Sequence, residues 1–121
     1  MEENEFSKLA LEGFSILNHK IGNHLAGIED EEFRALYEDE MKNNLMPLSG
    51  IIGNYYLILN MFSYQASPII KKESDRLIKG LEKLWAETSG RGYLPLKDIP
   101  NLAKEVMSDY KEVYEFYKNS D

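Results

Sequence analysis

Apolar residues recurring at steps of three and four run through most of this chain, and that spacing restricts it to helical folds more firmly than any single motif. Phe6, Ala10, Phe14, Leu17, Ile21, Leu25 and Ile28 form the first such series, and residues so spaced fall on one face of an α-helix. A first helix is therefore expected from Phe6 to Ile28. Glu29 to Lys42 follows, with seven acidic and two basic residues, while Phe33, Leu36, Tyr37 and Met41 keep the helical spacing. This segment reads as a short acidic helix after a break near Glu29, or as a continuation. Pro47 marks the next boundary, because proline disfavours helical geometry in the residue before it and is comfortable in a first helical turn. Beyond it Leu48, Ile51, Ile52, Tyr55, Ile58, Leu59 and Phe62 share one face, and Tyr56, Leu57, Met61 and Tyr64 occupy others. A helix apolar on nearly all sides is expected to be central and covered by its neighbours.

Ser67-Pro68 has the form of a helix start, with serine as N-cap and proline at the first helical position. The third helix is expected to reach about Thr88 and to bury Ile70, Leu77, Leu81, Leu84 and Trp85. Ser89 to Asp98, with two glycines and Pro95, is a loop. A fourth helix begins at Asp98 or Ile99, just before Pro100, and carries Leu102, Val106, Tyr110, Val113 and Tyr117 as its stripe. No stretch shows sustained strand-type alternation. The fold class expected is all-α, a single bundle of four to five helices forming one domain over residues 1–121, a length suited to one core. Gly13, Gly22, Gly27, Gly50, Gly53 and Gly80 fall within helical patterns, where each costs roughly 1 kcal/mol relative to alanine. Close approach of neighbouring helices is the ordinary reason for tolerating that cost; a ligand site lined by backbone is the alternative.

Composition removes several function classes. Without cysteine the chain has no disulfide, no thiolate metal site and no cysteine nucleophile. The acidic start Met-Glu-Glu-Asn-Glu lacks the features of a signal peptide, and with the missing cysteines it leans towards the cytoplasm. The most apolar run, Ile51 to Tyr64, is fourteen residues long, short of the roughly twenty that span a bilayer. It is expected to be a core helix, and no membrane role follows. A net charge of −7 argues against a nucleic-acid binder, which needs clustered Lys and Arg.

The two histidines, His19 and His24, lie thirteen and eighteen residues after Phe6, the start of the first series. At about 100° per residue, His24 falls about 20° from Leu17 and His19 about 200° away, so they face opposite sides of the helix. His24 is expected beside the core as a packed, hydrogen-bonded imidazole. His19 shares an exposed face with Glu12, Ser15 and Asn23. Two histidines on opposite faces cannot converge on one metal ion, and the Glu-x-x-His spacing of carboxylate-bridged sites is missing. Ser15 and His19 are one turn apart, but no glycine-flanked serine elbow accompanies them. No metal or other cofactor is implied.

An exposed neutral imidazole is a competent nucleophile towards an acyl phosphate. In this setting His19-Lys20-Ile21-Gly22-Asn23-His24-Leu25-Ala26-Gly27-Ile28 resembles the phospho-acceptor box of sensor histidine kinases. His19, Ile21, Asn23, Leu25 and the Ala26-Gly27-Ile28 tail match that box. Lys20 stands where the box has an acidic residue, and His24 where it has proline. The resemblance implies His19 as phosphate acceptor, Asn23 orienting water or phosphate, and Lys20 or Lys8 balancing charge. With no nucleotide-binding boxes in the chain, it implies a phosphotransfer module served by a receiver domain rather than an autokinase. His19-Lys20-Ile21-Gly22 approximates the histidine-x-leucine-lysine-glycine motif of such modules.

The competing expectation is a non-catalytic adaptor, inhibitor or subunit. It would bind a protein partner through Glu29, Asp30, Glu31, Glu32, Glu38, Asp39 and Glu40 and exposed tyrosines, the plain alternative being a solvated face. Either a monomer or a homodimer is compatible with the glycine-bearing faces.

Overall fold

The computed structural model describes the backbone of residues 3–64 and 68–119 and the side chains of 8–9, 12–61, 63, 68–69 and 71–116. The expected Ser67 cap and the placements of Phe6, Ala10, Phe62, Tyr64, Ile70 and Tyr117 lie outside the described residues. The rest forms four helices packed on one another, without a strand among the described residues. They are α1 (Glu3–His24), α2 (Glu31–Tyr64), α3 (Pro68–Thr88) and α4 (Ile99–Asn119), the last preceded by a 3-10 turn at Leu96–Asp98. Each of α1 and α3 packs against both α2 and α4, which sets α2 and α4 on a diagonal. Mid-helix contacts lie back across each short connection, Gly13 meeting Tyr55, Gly53 meeting Trp85 and Gly80 meeting Val106, so sequence neighbours run antiparallel.

The first helix ends four residues earlier than its apolar series. Gly27 has φ +85°, a backbone conformation that stops a helix and suits glycine. The turn nevertheless keeps the series inside: Leu25 and Ile28 are buried, with the Ile28 N–H donating to the Leu25 carbonyl. A side chain at Gly27 would also strike the Phe33 ring. Asp30 then caps α2, its Oδ1 accepting the Phe33 N–H at 3.1 Å.

Pro47 is not a boundary. It lies inside α2, and the departure from helical geometry is at Tyr37, with φ −126° and ψ 25°. A proline in a helix interior costs about 3 kcal/mol. Here Met41, Leu45, Leu48, Ile52 and Leu59 are all buried and stay in register across it, so packing outweighs the local preference. Nor is α2 covered on every side: Met46, Leu57 and Met61 are more than half exposed. With α1 and α3 as its main neighbours, one face is left open among the described residues.

The core contains Leu17, Leu48, Ile52, Leu59, Leu77, Leu81, Leu84, Val106 and Tyr110, all nearly inaccessible. Trp85 is half-buried against Tyr56, and Leu102 and Val113 complete the expected α4 stripe. Close packing explains three of the six glycines. A Cβ at Gly53 would lie 2.6 Å from the Trp85 ring, one at Gly13 would overlap the Tyr110 hydroxyl, and one at Gly80 would come within 3.2 Å of Val106. Gly22 and Gly50 meet nothing within 4 Å, so close contact within the chain does not account for them. The Tyr110 hydroxyl is buried without a hydrogen-bond partner among the described residues. Burial first, then the proximity of Tyr55 and Glu12, pushes its pKa far above the usual tyrosine value.

The α3–α4 connection is held from within. Glu87 accepts the Tyr93 N–H at 3.2 Å and the Leu94 N–H at 2.9 Å, and Gly92 leaves room for that carboxylate. The Arg91 guanidinium sits 4.7 Å from the Trp85 ring centre. Tyr93, between these anchors, is 99% exposed.

Candidate functional site

His19 is exposed on α1. One turn on, the Asn23 amide Nδ2 lies 3.3 Å from Nε2 of His19. An amide nitrogen donates, so in this contact Asn23 is the donor and the ring nitrogen the acceptor. Lys20 is half-buried. Neighbouring helix residues diverge by about 100°, which puts Lys20 on the flank shared with Ile16, where α1 meets α2. Lys8 is exposed, but eleven residues along a helix separate it from His19 by about 16 Å of axial rise. Of the residues singled out by the box, the fold brings Asn23 to His19. Neither Lys20 nor Lys8 makes a hydrogen bond or ion pair with them among the described residues.

The rest of the box has other work. His24, half-buried, donates from Nδ1 to the Asn44 carbonyl at 2.9 Å and so ties the end of α1 to α2. Ile21 packs on the core, Leu25 and Ile28 are buried in it, and Gly27 turns the chain. Helix termination and packing account for Ile21, Leu25, Gly27 and Ile28, which leaves His19 and Asn23 as the exposed, hydrogen-bonded pair of this stretch.

A second surface lies at the start of α2. From Glu31 to Glu40 every residue except Arg34 is exposed. Phe33, Leu36 and Tyr37 are spaced to stand side by side on one face, with the Phe33 and Tyr37 rings 4.8 Å apart and Leu36 74% exposed. Seven carboxylates lie between Glu29 and Glu40. Glu29 pairs with Lys104 at 2.8 Å and Glu38 with Lys42 at 3.5 Å, while Arg34 Nη1 donates to the Ile28 carbonyl. Glu31, Glu32, Asp39 and Glu40 have no ion-pair partner among the described residues. Phe33, Leu36, Tyr37 and Met41 keep helical spacing, and of the four only Met41 is buried. The sequence signal for the difference is the density of carboxylates around the first three, whose burial would strip water from unpaired charges.

No group of three or more potential metal ligands occurs among the described residues. No helix described is long and apolar enough to cross a membrane. No protein-family model, curated protein or solved structure matches the chain.

Proposed function

We propose that the chain is a binding protein whose acidic, apolar surface at the start of α2 takes up a basic amphipathic segment of a protein partner. The observation that carries this is the exposure of Phe33, Leu36 and Tyr37 together, beside carboxylates without ion-pair partners. Apolar contact supplies affinity when these side chains leave water, and the carboxylates speed encounter with a basic partner and exclude acidic ones. In a pull-down with the intact chain as bait, the partner is lost with Leu36→Ala and with the double variant Glu31→Lys, Glu32→Lys, is weakened by salt, and is kept with Glu112→Lys on α4. Retention by both α2 variants would rule out this surface.

The exposed pair His19 and Asn23 favours a second reading, a histidine phosphotransfer domain. In it Nε2 of His19 attacks the phosphorus of a receiver's aspartyl phosphate; the P–N bond forms as the P–O bond breaks, and the carboxylate leaves. Asn23 would turn its amide from the ring nitrogen to a phosphoryl oxygen, and Lys20 would supply positive charge nearby. After incubation with phosphorylated receiver domains, intact-mass measurement should find acid-labile phosphate that disappears in His19→Gln and survives in His24→Gln. Folded protein that takes no phosphate from any receiver rejects this second reading and leaves the first standing.

A further inference from the structure

From Asn43 to Ile70 the chain has no charged residue, although 29% of the whole is charged. Within this stretch the face of α2 opposite Ile52 and Leu59 is open. Met46, Pro47, Gly50, Asn54, Leu57 and Met61 are all exposed on it, and a Cβ at Gly50 would meet nothing within 4 Å. Helical glycine without a neighbour costs stability and gains no contact in the single chain. Exposed apolar residues grouped in this way, rather than scattered, mark contact surfaces.

We propose that this face joins two copies of the chain, with their α2 helices antiparallel about a two-fold axis near Asn54. Charge selects the occupant: a molecule of net charge −7 repels its own copy, and a strip of α2 without charged residues lets two copies meet with their carboxylates, Glu12 beside Asn54 and Glu82 beside Tyr56, at the rim. Shape selects the arrangement. Asn54 is exposed at the centre of the strip, and an amide offers both a donor and an acceptor to its own counterpart. Pro47 and Met61 are each seven residues from Asn54; Gly50 lies four before it and Leu57 three after. A two-fold axis there sets Met61 of each copy over Pro47 of the other and Leu57 into the space left open at Gly50. Bulk in one half of the strip thus meets the gap in the other, which is the self-complementarity that an isologous interface requires.

Size sets the strength. Pro47 to Met61 spans about 21 Å of helix axis at 1.5 Å per residue. One helix face about 10–12 Å wide covers about 210–250 Å² per copy over that length, below the standard interface size and on the side of weak, reversible associations. The pairing is therefore a concentration-dependent equilibrium and leaves both the start of α2 and His19 accessible.

The lack of cysteine makes a direct test possible. In Asn54→Cys the single thiols meet across the axis, and mild oxidation of this variant gives a disulfide-linked dimer, because the bond needs Cα atoms within about 7 Å. Ser108→Cys, exposed on α4, remains monomeric under the same treatment. Sedimentation equilibrium of the unmodified chain shows a monomer–dimer equilibrium whose dissociation constant rises at least tenfold in Leu57→Lys. Circular dichroism at low concentration confirms that each variant is folded. A chain that stays monomeric at high concentration overturns the proposal. So does a dimer that tolerates Leu57→Lys, or cross-linking that is as fast through position 108 as through 54.

Discussion

The two halves of α2 expose apolar side chains to comparable extents, Leu36 at 74% in the first and Leu57 at 53% in the second, in opposite electrical settings. Around Leu36 nearly every polar neighbour along α2 is a carboxylate; around Leu57 α2 carries no charged residue. The first setting suits a partner that brings positive charge and deters a second copy of the same chain. The second deters neither but gains from a surface as neutral as itself. Where both surfaces dock as proposed, the apolar side chains supply the contact and the charges around them select the kind of molecule.

The comparison breaks most visibly if both halves prove to be core. Ile52, fully buried in the second half, should lose about 2–5 kcal/mol on Ile52→Ala. Leu36→Ala should change stability by less than about 0.5 kcal/mol, as surface substitutions do. Urea unfolding of the two variants measures the contrast, and equal losses would place Leu36 in the core.

Within the second half, Gly50 and Gly53 separate the open face from the packed one. Gly53→Ala drives a methyl into the Trp85 ring and should cost about 1–3 kcal/mol. Gly50→Ala has free space and should gain up to about 1 kcal/mol from helix propensity. Opposite signs in thermal unfolding at low concentration confirm the assignment of the two faces.

The smallest effect concerns the inner side of the second half, where Tyr55 lies beside Tyr110. Both tyrosines have raised pKa values, through burial first and then neighbouring negative charge. Above the ordinary tyrosine value of 10.0 the unfolded chain releases protons that the folded chain retains, so stability falls as pH rises. For Tyr110 the slope is about 1.4 kcal/mol per pH unit. Tyr110→Phe should flatten it and, by removing a buried hydroxyl without a partner, add about 1 kcal/mol at neutral pH. Urea midpoints measured from pH 7 to 11 test both.

The helices and most of their buried stripes were legible because periodicity reports burial directly; Leu77, Leu81, Leu84, Leu102 and Val106 needed nothing more. Pro47 misled because its local preference against a helix interior is a few kcal/mol, less than the continuous packing of Met41, Leu45, Leu48 and Ile52 can offset. Helical spacing left the burial of Phe33, Leu36 and Tyr37 undecided, since it fits a core stripe equally well and only the surrounding carboxylates hold them at the surface. The opposed orientations of His19 and His24 followed from helix geometry. The tie from His24 to the Asn44 carbonyl did not, because it joins helices whose relative placement no local pattern encodes.

The anchored turn between α3 and α4 also governs how the folded chain meets a protease. Tyr93 is an aromatic residue wholly in solvent, the side chain that chymotrypsin seeks, yet its N–H and that of Leu94 are held by Glu87. Cleavage requires the strand to leave those bonds and lie extended in the enzyme's cleft. The rate of nicking at Tyr93 therefore follows the local opening of this turn, the Glu87 carboxylate and the Arg91–Trp85 contact together, rather than unfolding of the bundle.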